Sequence, residues 1–237
     1  MVASCTTQPN DQQAAIAAEP ARDTSHWHGP AALEPINFPQ VADNVRNDTL
    51  AIQTTFDLGD GTFVMVASNV LETFEGLRLV RYALLSDSNA RVIATSAPAY
   101  DSWTMLPTFL GKAGDSTLIV MANFGEKQSW GQKVMTLDKS GFTDIGFLEA
   151  ALPVRVVESD SAYLKRESIA SNVRWTNASS GAIEFAGDSV YLYDDGRGGR
   201  DYVIATDRVK CMRNGNTLQL WIDGAAPSLA DSTAAVQ

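Results

Sequence analysis

Short apolar runs of strand length alternate with turn signals between about residue 50 and residue 222. Period-two alternation with Gly, Asn or Asp between the runs is typical of antiparallel strands joined by short loops. The pattern therefore predicts an all-β fold with little helix, either an antiparallel β-sandwich or a barrel-like domain. The only segment with a helical alternative is 161–170, which could form two or three turns.

The C-terminal part of this pattern predicts a hairpin with a defined register. Asn214-Gly215 separates two alternating runs, and Asn-Gly is a strong hairpin signal because both loop residues must accept positive φ. A two-residue loop there would pair Cys211 with Leu218. The face expected to be buried carries Val209, Cys211, Leu218 and Leu220. The opposite face carries Lys210, Met212, Thr217, Gln219 and Trp221. Cys211 is then a small core side chain rather than a nucleophile.

Two more hairpins are predicted from turn residues. One turns through Gly187-Asp188, which would place Phe185 opposite Val190 and Ile183 opposite Leu192. The other joins 50–57 to 62–67 through the Gly-rich loop between them. Further strands are expected near 77–85, 90–95, 117–123, 132–138, 154–157, 172–176 and 202–206. The continuous apolar run at 118–122 indicates a central strand that is covered on both faces.

Both ends of the chain lack this alternation. Residues 6–30 are rich in Ala, Gln, Pro, Asp and Thr, and residues 225–237 show no periodicity. Such segments bury too little apolar surface to offset the entropy of ordering. We therefore expect a tether over 1–31, a β-rich domain over 32–224 and a disordered tail over 225–237. Similar Gly-Asp turns open three of the strands, so a pair of related β-subdomains meeting near 150–160 is an open alternative.

The tetrad Val2-Ala3-Ser4-Cys5 resembles the lipobox that ends the signal peptides of bacterial lipoproteins. In that family the cysteine becomes the mature N-terminus and carries the lipid, and a polar leash leads to the folded domain. The resemblance covers these four residues and the leash behind them. It implies lipidation at Cys5, an apolar segment ahead of Val2 in the native gene, and a location in the cell envelope. If Cys5 is lipidated, Thr6 at the next position resembles the pattern that directs lipoproteins to the outer membrane, so we expect a lipoprotein on the outer membrane or facing the periplasm.

Charge and histidine content restrict the chemistry. The net charge of −10 disfavours nucleic acid as a partner and weakly favours a cationic ligand or partner protein. An acidic surface that merely keeps the domain in solution is the alternative. The two histidines, His26 and His28, lie in the tether, which removes Ser-His-Asp and Cys-His arrangements from the folded domain. No cofactor and no metal site are expected.

Candidate binding residues combine exposed aromatic groups with an Asp/Arg-rich loop. Aromatic rings stack on sugars, and Tyr and Arg are frequent anchors at protein interfaces. The candidates are Trp130, Tyr191, Tyr193, Asp194, Asp195, Arg197 and Arg200. An ordinary solvated loop with internal ion pairs is the alternative reading of this segment. For Trp221 we expect packing within the fold.

These residues predict a non-catalytic binding module at the bacterial cell envelope that recognises a protein or a glycan. One concrete version is an acidic inhibitor of a cationic enzyme that attacks the envelope, such as a lysozyme. The alternative is a glycosidase-like hydrolase, because carboxylates alone can cleave glycosides without histidine. Such an enzyme needs two carboxyl groups about 5–10 Å apart, one of them desolvated.

Overall fold

The computed structural model describes twelve segments of the chain: residues 33–42, 45, 49–71, 76–86, 89–98, 104–112, 115–126, 129–158, 161–177, 182–192, 202–215 and 217–224. Within them the chain forms strands and two short 3-10 turns, at Ala170–Asn172 and Thr206–Arg208, and no α-helix. The strands are, in chain order, β1 (Glu34–Ile36), β2 (Gln40–Val41), β3 (Leu50–Asp57), β4 (Thr62–Asn69), β5 (Arg78–Leu84), β6 (Ala90–Thr95), β7 (Thr104–Gly111), β8 (Leu118–Glu126), β9 (Ser129–Asp138), β10 (Gly141–Leu148), β11 (Ala150–Glu158), β12 (Ser161–Glu167), β13 (Val173–Asn177), β14 (Ala182–Phe185), β15 (Ser189–Leu192), β16 (Tyr202–Ala205), β17 (Val209–Asn214) and β18 (Thr217–Ile222). The predicted all-β class is confirmed.

Four antiparallel sheets contain these strands. The N-terminal sheet has the order β2-β3-β4-β5-β6, and the middle sheet has the order β1-β7-β8-β9-β10. The later strands interleave in two smaller sheets. The third sheet has the order β12-β11-β15-β16, and the C-terminal sheet has the order β13-β14-β17-β18. Sheets packed face to face in this way fit the sandwich description of the fold.

The middle sheet is buried on both faces, which places it at the centre of the molecule. On β8, Val120 and Ala122 pack against the N-terminal sheet in a cluster that includes Val64. Their neighbours Ile119 and Met121 point the other way, into a larger cluster that contains Trp175 and other residues of the C-terminal half. Successive side chains of a strand point to opposite faces, so one continuous apolar run serves two cores. The expected central strand at 118–122 is confirmed.

The hairpin formed by β3 and β4 is confirmed, and its loop explains the Gly-rich sequence. Gly59 and Gly61 have φ values of 74° and 81°, a region that side chains with a Cβ rarely adopt. Asp57 accepts a hydrogen bond from the Gly59 N–H at 2.8 Å. Gln53 is the extra residue of a bulge in β3, between the pairs made by Ile52 and Thr54.

The expected hairpin over 182–193 is wrong. β14 pairs with β13 and β17, whereas β15 pairs with β11 and β16, so the two strands belong to different sheets. The chain changes sheet at Gly187, where φ is 86°. The four apolar side chains of these strands do share the larger core, but they meet across it rather than within one ladder: Ile183, Phe185, Val190 and Leu192. Alternation shows which side of a strand is buried, and it does not show which strand is its neighbour.

The C-terminal hairpin has the expected faces and a different register. Asn214 pairs with Thr217, so the two-residue loop begins at Gly215, whose φ is 62°, and Cys211 pairs with Leu220. The predicted pairing of Cys211 with Leu218 is therefore wrong by two residues. A two-residue shift keeps every side chain on its face, because side chains alternate with a period of two. The prediction of a buried face is confirmed: Val209 and Cys211 are each 1% exposed, and the leucines pack against them.

The helical alternative for 161–170 is also wrong. Ser161–Glu167 is a strand that pairs with β11 from Glu158 opposite Ser161 to Leu152 opposite Glu167. We refer to this pair of strands as the β11–β12 ribbon. Within this ribbon, β11 contains three valines, which favour a pleated sheet, and pairing with β11 decides the conformation of Ser161–Glu167. Five strands were not predicted: β1, β2, β7, β10 and β12.

Candidate binding grooves

Of the predicted binding residues, the structure describes the side chain of Tyr191 alone. Tyr193, Asp194, Asp195, Arg197, Arg200 and Cys5 lie outside the described residues. Trp130 is described through its backbone alone, which pairs with Gly125 between β8 and β9. Tyr191 is half-buried on β15, and the guanidinium carbon of Arg166 lies 5.3 Å from the centre of its ring. The aromatic partner of this arginine is therefore known, while the predicted Asp/Arg loop remains a prediction.

The outer face of the C-terminal hairpin forms a groove of about 330 Å³. We call it the Trp221 groove, and it is lined by Asp207, Arg208, Lys210, Met212, Trp221, Asp223 and Gly224. Lys210 lies directly opposite Trp221 in the ladder of β17 and β18. The sequence pattern assigned Lys210, Met212 and Trp221 to this outward face, and the structure confirms that assignment.

An ion pair forms part of the lining of the Trp221 groove. Arg208 donates from Nε to one carboxylate oxygen of Asp223 at 2.8 Å and from Nη2 to the other at 2.6 Å. The hydrogen bonds from Arg208 lower the pKa of Asp223 from its ordinary value, and the nearby positive charge adds to this effect. Both side chains are 54% exposed, so the pair can contact a ligand. Asp223 has a φ of 53° and Gly224 one of 78°, which turns the chain at the groove.

Trp221 itself is half-buried, and its indole Nε1 is buried without a hydrogen-bond partner among the described residues. An indole nitrogen is a donor only, so it can be satisfied by an acceptor and by nothing else. Comparison with family models, with curated proteins and with solved structures finds no match to this chain.

Sequence reasoning missed Arg208 and Asp223. The two residues continue the ladder of β17 and β18 beyond Val209, which pairs with Ile222. The register predicted from an Asn214-Gly215 loop would have placed Asp223 two positions away from Arg208. The correct loop position is thus the signal that would have brought this ion pair to notice.

Two acidic residues at turns between strands, Asp60 and Asp138, accept hydrogen bonds from the N–H groups of Thr62 and Ser140. Partial burial tends to raise the pKa of Asp60, but hydrogen bonds from Thr62 and the charge of Arg81 outweigh burial and lower it. Hydrogen bonds from the Ser140 hydroxyl and backbone lower the pKa of Asp138. In Asp60, Asp138 and Asp223 alike, the pKa of the carboxyl group lies below its ordinary value.

Buried cations are held by carboxylates in the segments that the structure describes. The pairs are Arg81 with Asp60 (2.9 Å), Lys133 with Asp144 (3.1 Å) and Arg174 with Glu184 (2.7 Å). A buried charge that lacks a partner is costly, so these pairs are parts of the packing. In the same segments no three His, Cys, Asp or Glu side chains come close enough together to hold a metal ion. No helix among the described residues is long and apolar enough to span a membrane.

Proposed function

We propose that this protein is a non-catalytic binding module of the bacterial cell envelope and that the Trp221 groove holds a sugar unit of a glycan. The observation that carries the proposal is the combination of a half-buried tryptophan with a bidentate Arg208–Asp223 pair in one groove.

The chemistry of the groove suits a sugar. The apolar face of a pyranose ring packs on an aromatic side chain, while its hydroxyl groups need both donors and acceptors at the rim. Arg208 and Lys210 supply donors, and Asp223 supplies an acceptor. A hydroxyl oxygen could also accept from the unpartnered Nε1 of Trp221, whose burial without an acceptor is unfavourable.

The size of the groove favours a small ligand over a protein surface. At about 330 Å³ it falls within the usual range of roughly 300–1,000 Å³ for small-ligand pockets. A stable protein interface buries on the order of 800 Å² on each partner, which is far more than one groove offers. A protein partner would therefore need surface beyond the Trp221 groove.

Isothermal titration with an N-acetylated chito-oligosaccharide and with an unmodified gluco-oligosaccharide tests the proposal. We expect at least one of them to bind, and Trp221→Ala to weaken its affinity at least about tenfold, which corresponds to roughly 1.4 kcal/mol. Tyr163→Ala is the matched control, because Tyr163 is an aromatic residue that is 47% exposed and lies on β12. Equal affinity of wild type and Trp221→Ala, or no heat of binding with either sugar, would contradict the proposed glycan site.

The envelope location is proposed from the lipobox-like tetrad ending at Cys5 and the polar leash behind it. Mass spectrometry of the protein expressed from its full gene should show a diacylglyceryl group on Cys5 at a new N-terminus. An unmodified Cys5 in the cytoplasmic fraction would disprove the anchor without affecting the glycan site.

The hydrolase alternative would draw on Asp207 and Asp223, which both line the Trp221 groove. Asp223 is held in the ionised state by Arg208, which suits a hydrogen-bond acceptor better than a general acid. We therefore favour binding over hydrolysis. Release of shorter sugars during a long incubation, abolished in Asp207→Asn, would decide for the enzyme.

A further inference from the structure

A second groove, of about 420 Å³, is lined by residues of β7 and β8, of the β11–β12 ribbon and of the 3-10 turn at Ala170–Asn172. We call it the Asn123 groove. Its lining comprises Leu106, Pro107, Thr108, Asn123, Leu152, Lys165, Glu167, Ser168, Ala170, Ser171 and Asn172. No aromatic side chain is among these residues, so the groove differs in chemistry from the Trp221 groove.

Asn123 is a polar residue at an inward position of β8, where Ile119 and Met121 precede it on the same face. It is 2% exposed, and its Nδ2 donates to the carbonyl of Leu106 at 2.6 Å and to Thr108 Oγ1 at 3.2 Å. A further bond from Nδ2 reaches the carbonyl of Met121 at 3.2 Å. Its Oδ1 is buried and has no hydrogen-bond partner among the described residues.

The contrast with Gln132, directly opposite on β9, shows that this is not a general property of the buried amides. Gln132 is fully buried and, with its amide nitrogen turned toward them, donates to the carbonyls of Leu148 and Ala150, each at 3.0 Å. An acceptor buried without a donor is unfavourable, because it loses the hydrogen bonds that it makes with water in the unfolded chain. Asn123 is therefore the side chain that gains most from a ligand with a hydrogen-bond donor.

The neighbouring polar groups offer donors. Thr108 accepts from Asn123, and Ser168 accepts from the Ala170 N–H at 3.3 Å, so each hydroxyl can still donate its own hydrogen. Ser171 donates to Asn172 Oδ1 at 2.8 Å, which leaves the amide nitrogen of Asn172 as a donor. The groove thus combines a buried acceptor with several donors a short distance away.

The rim adds one charge of each sign. Lys165 Nζ lies 2.9 Å from Glu167 Oε1, and the side chains are 56% and 42% exposed. Leu106, Pro107 and Leu152 supply apolar contact between the polar groups. The net charge of the lining is zero, which disfavours a strongly anionic or strongly cationic ligand.

We propose that the Asn123 groove binds the backbone of a short peptide. A peptide N–H donates to Asn123 Oδ1, and a neighbouring carbonyl accepts from the hydroxyl of Thr108 or Ser168. A free carboxylate and a free amino group then meet Lys165 and Glu167 at the rim. A peptide bond supplies a donor and an acceptor together, which is the complement that the groove presents. This site is separate from the glycan site and does not depend on it.

Titration of the isotope-labelled full chain with trialanine, followed by NMR, tests the proposal. We expect saturable shifts of the Asn123 side-chain amide and of the backbone amides of Thr108 and Asn172. Thr108→Val removes one hydroxyl at nearly constant shape and should weaken trialanine binding roughly three- to tenfold, the effect of one hydrogen bond. Asn172→Ala provides a second variant at a half-buried position if Thr108→Val unfolds the protein.

The charged rim is tested with blocked peptide. Glu167→Gln and Lys165→Met should weaken binding of free trialanine and leave N-acetyl-trialanine-amide unchanged, since the blocked peptide has no charged ends. Trp221→Ala is the control and should bind trialanine as wild type does.

Absence of shifts at the groove at high millimolar trialanine, or equal affinity in wild type, Thr108→Val and Asn172→Ala, would overturn the peptide site. Shifts of the Asn123 amide with the chito-oligosaccharide alone would overturn it as well. Failure of the glycan titration, by contrast, would count against the Trp221 groove and leave the peptide site standing.

Discussion

The middle sheet and the β11–β12 ribbon are both antiparallel and of similar strand length, yet different forces hold them. On β8, every residue from Ile119 to Ala122 is at most 5% exposed. In the ribbon, Val157 is 67% exposed and Leu164 is 50% exposed. Apolar side chains occur in both regions, and packing covers them in only one.

The difference shows where the register is fixed by packing and where it is fixed by pairing alone. A slip in the middle sheet would disturb two cores at once, because its two faces pack on different sheets. The ribbon relies on its ladder and on exposed polar contacts such as Lys165–Glu167. Substitutions in the middle sheet should therefore be costly, and matched ones in the ribbon should be mild.

Truncation in the middle sheet should have the largest effect. Met121→Ala removes a side chain that is 0% exposed and should lower the free energy of unfolding by about 2–5 kcal/mol, because it leaves a cavity. Val157→Ala in the ribbon should change it by less than about 0.5 kcal/mol. Chemical denaturation of both variants measures the difference, and equal losses would refute the comparison.

The tie between the N-terminal and middle sheets should come next. Arg81 on β5 donates to the carbonyl of Asp138 at 2.5 Å and to Thr62 Oγ1 at 3.1 Å, in addition to its pair with Asp60. Arg81→Met should cost about 1–3 kcal/mol, with the lower part of the range expected because Asp60 is half-exposed. Arg155→Met, at an exposed ribbon position, is the control.

The same contact gives a pH dependence with a definite sign. The pKa of Asp60 is lower in the folded protein than its ordinary value of 3.8, so its contribution to stability is complete above that pH. The contribution is lost as the pH falls through the folded pKa. Denaturation of Asp60→Asn at several pH values should show a weaker loss of stability in acid than wild type shows.

On the opposite side of the middle sheet, Cys211 should report burial through its reactivity. Burial raises the pKa of the Cys211 thiol to about 12, so the reactive thiolate is scarce at neutral pH. We expect slow alkylation in the native state and fast alkylation after denaturation. Cys211→Ser should cost about 1–3 kcal/mol, and Ala162→Ser in the ribbon close to nothing. Rapid labelling of the native thiol would show that the face is open.

The smallest effect is expected at the edge of the middle sheet. Gln53 donates from Nε2 to the carbonyl of Met105 at 3.0 Å and accepts from the Met105 N–H at 3.1 Å. Gln53→Ala should cost about 1 kcal/mol and speed hydrogen exchange at the Met105 amide. Ser161→Ala removes a comparable side-chain-to-backbone bond in the ribbon and should leave Met105 unaffected. An unchanged rate of hydrogen exchange at the Met105 amide in Gln53→Ala would show that these hydrogen bonds do not stabilise this edge of the sheet.

Alternation in the sequence predicted strand faces better than strand neighbours. The two covered faces at 118–122 and the buried face of the last hairpin follow from the period of two alone. The pairing partners of β14 and β15 do not follow from this period, because pairing depends on where the other strands lie. Pro107 concealed β7, since proline argues against a central strand. Proline is tolerated there because Pro107 lies in a gap between two contacts along one edge of β7. Gln53 bonds to the backbone at Met105, and β1 pairs with β7 only from Phe109 onward.

The grooves were less predictable than the fold, for two physical reasons. Arg208 and Asp223 meet only in the observed register of the last hairpin, so an error of two residues in the loop position concealed them. Asn123 did carry a signal: it is a polar residue that extends the inward series of Ile119 and Met121. Its neighbours in the groove come from strands and a turn that are distant in sequence. A single sequence does not reveal which distant segments meet.

The position of β1 has a consequence for the order of events during synthesis. This early strand pairs with the end of β7, where Glu34 lies opposite Gly111, and it must wait for that segment to emerge from the ribosome. One face of β8 then waits longer still, because its cover includes Cys211, near the end of the described chain. Until those residues are made, a nascent chain would present Ile119 and Met121 to its surroundings. Folding should therefore be slow and late, because these apolar residues stay uncovered until the last strands are in place.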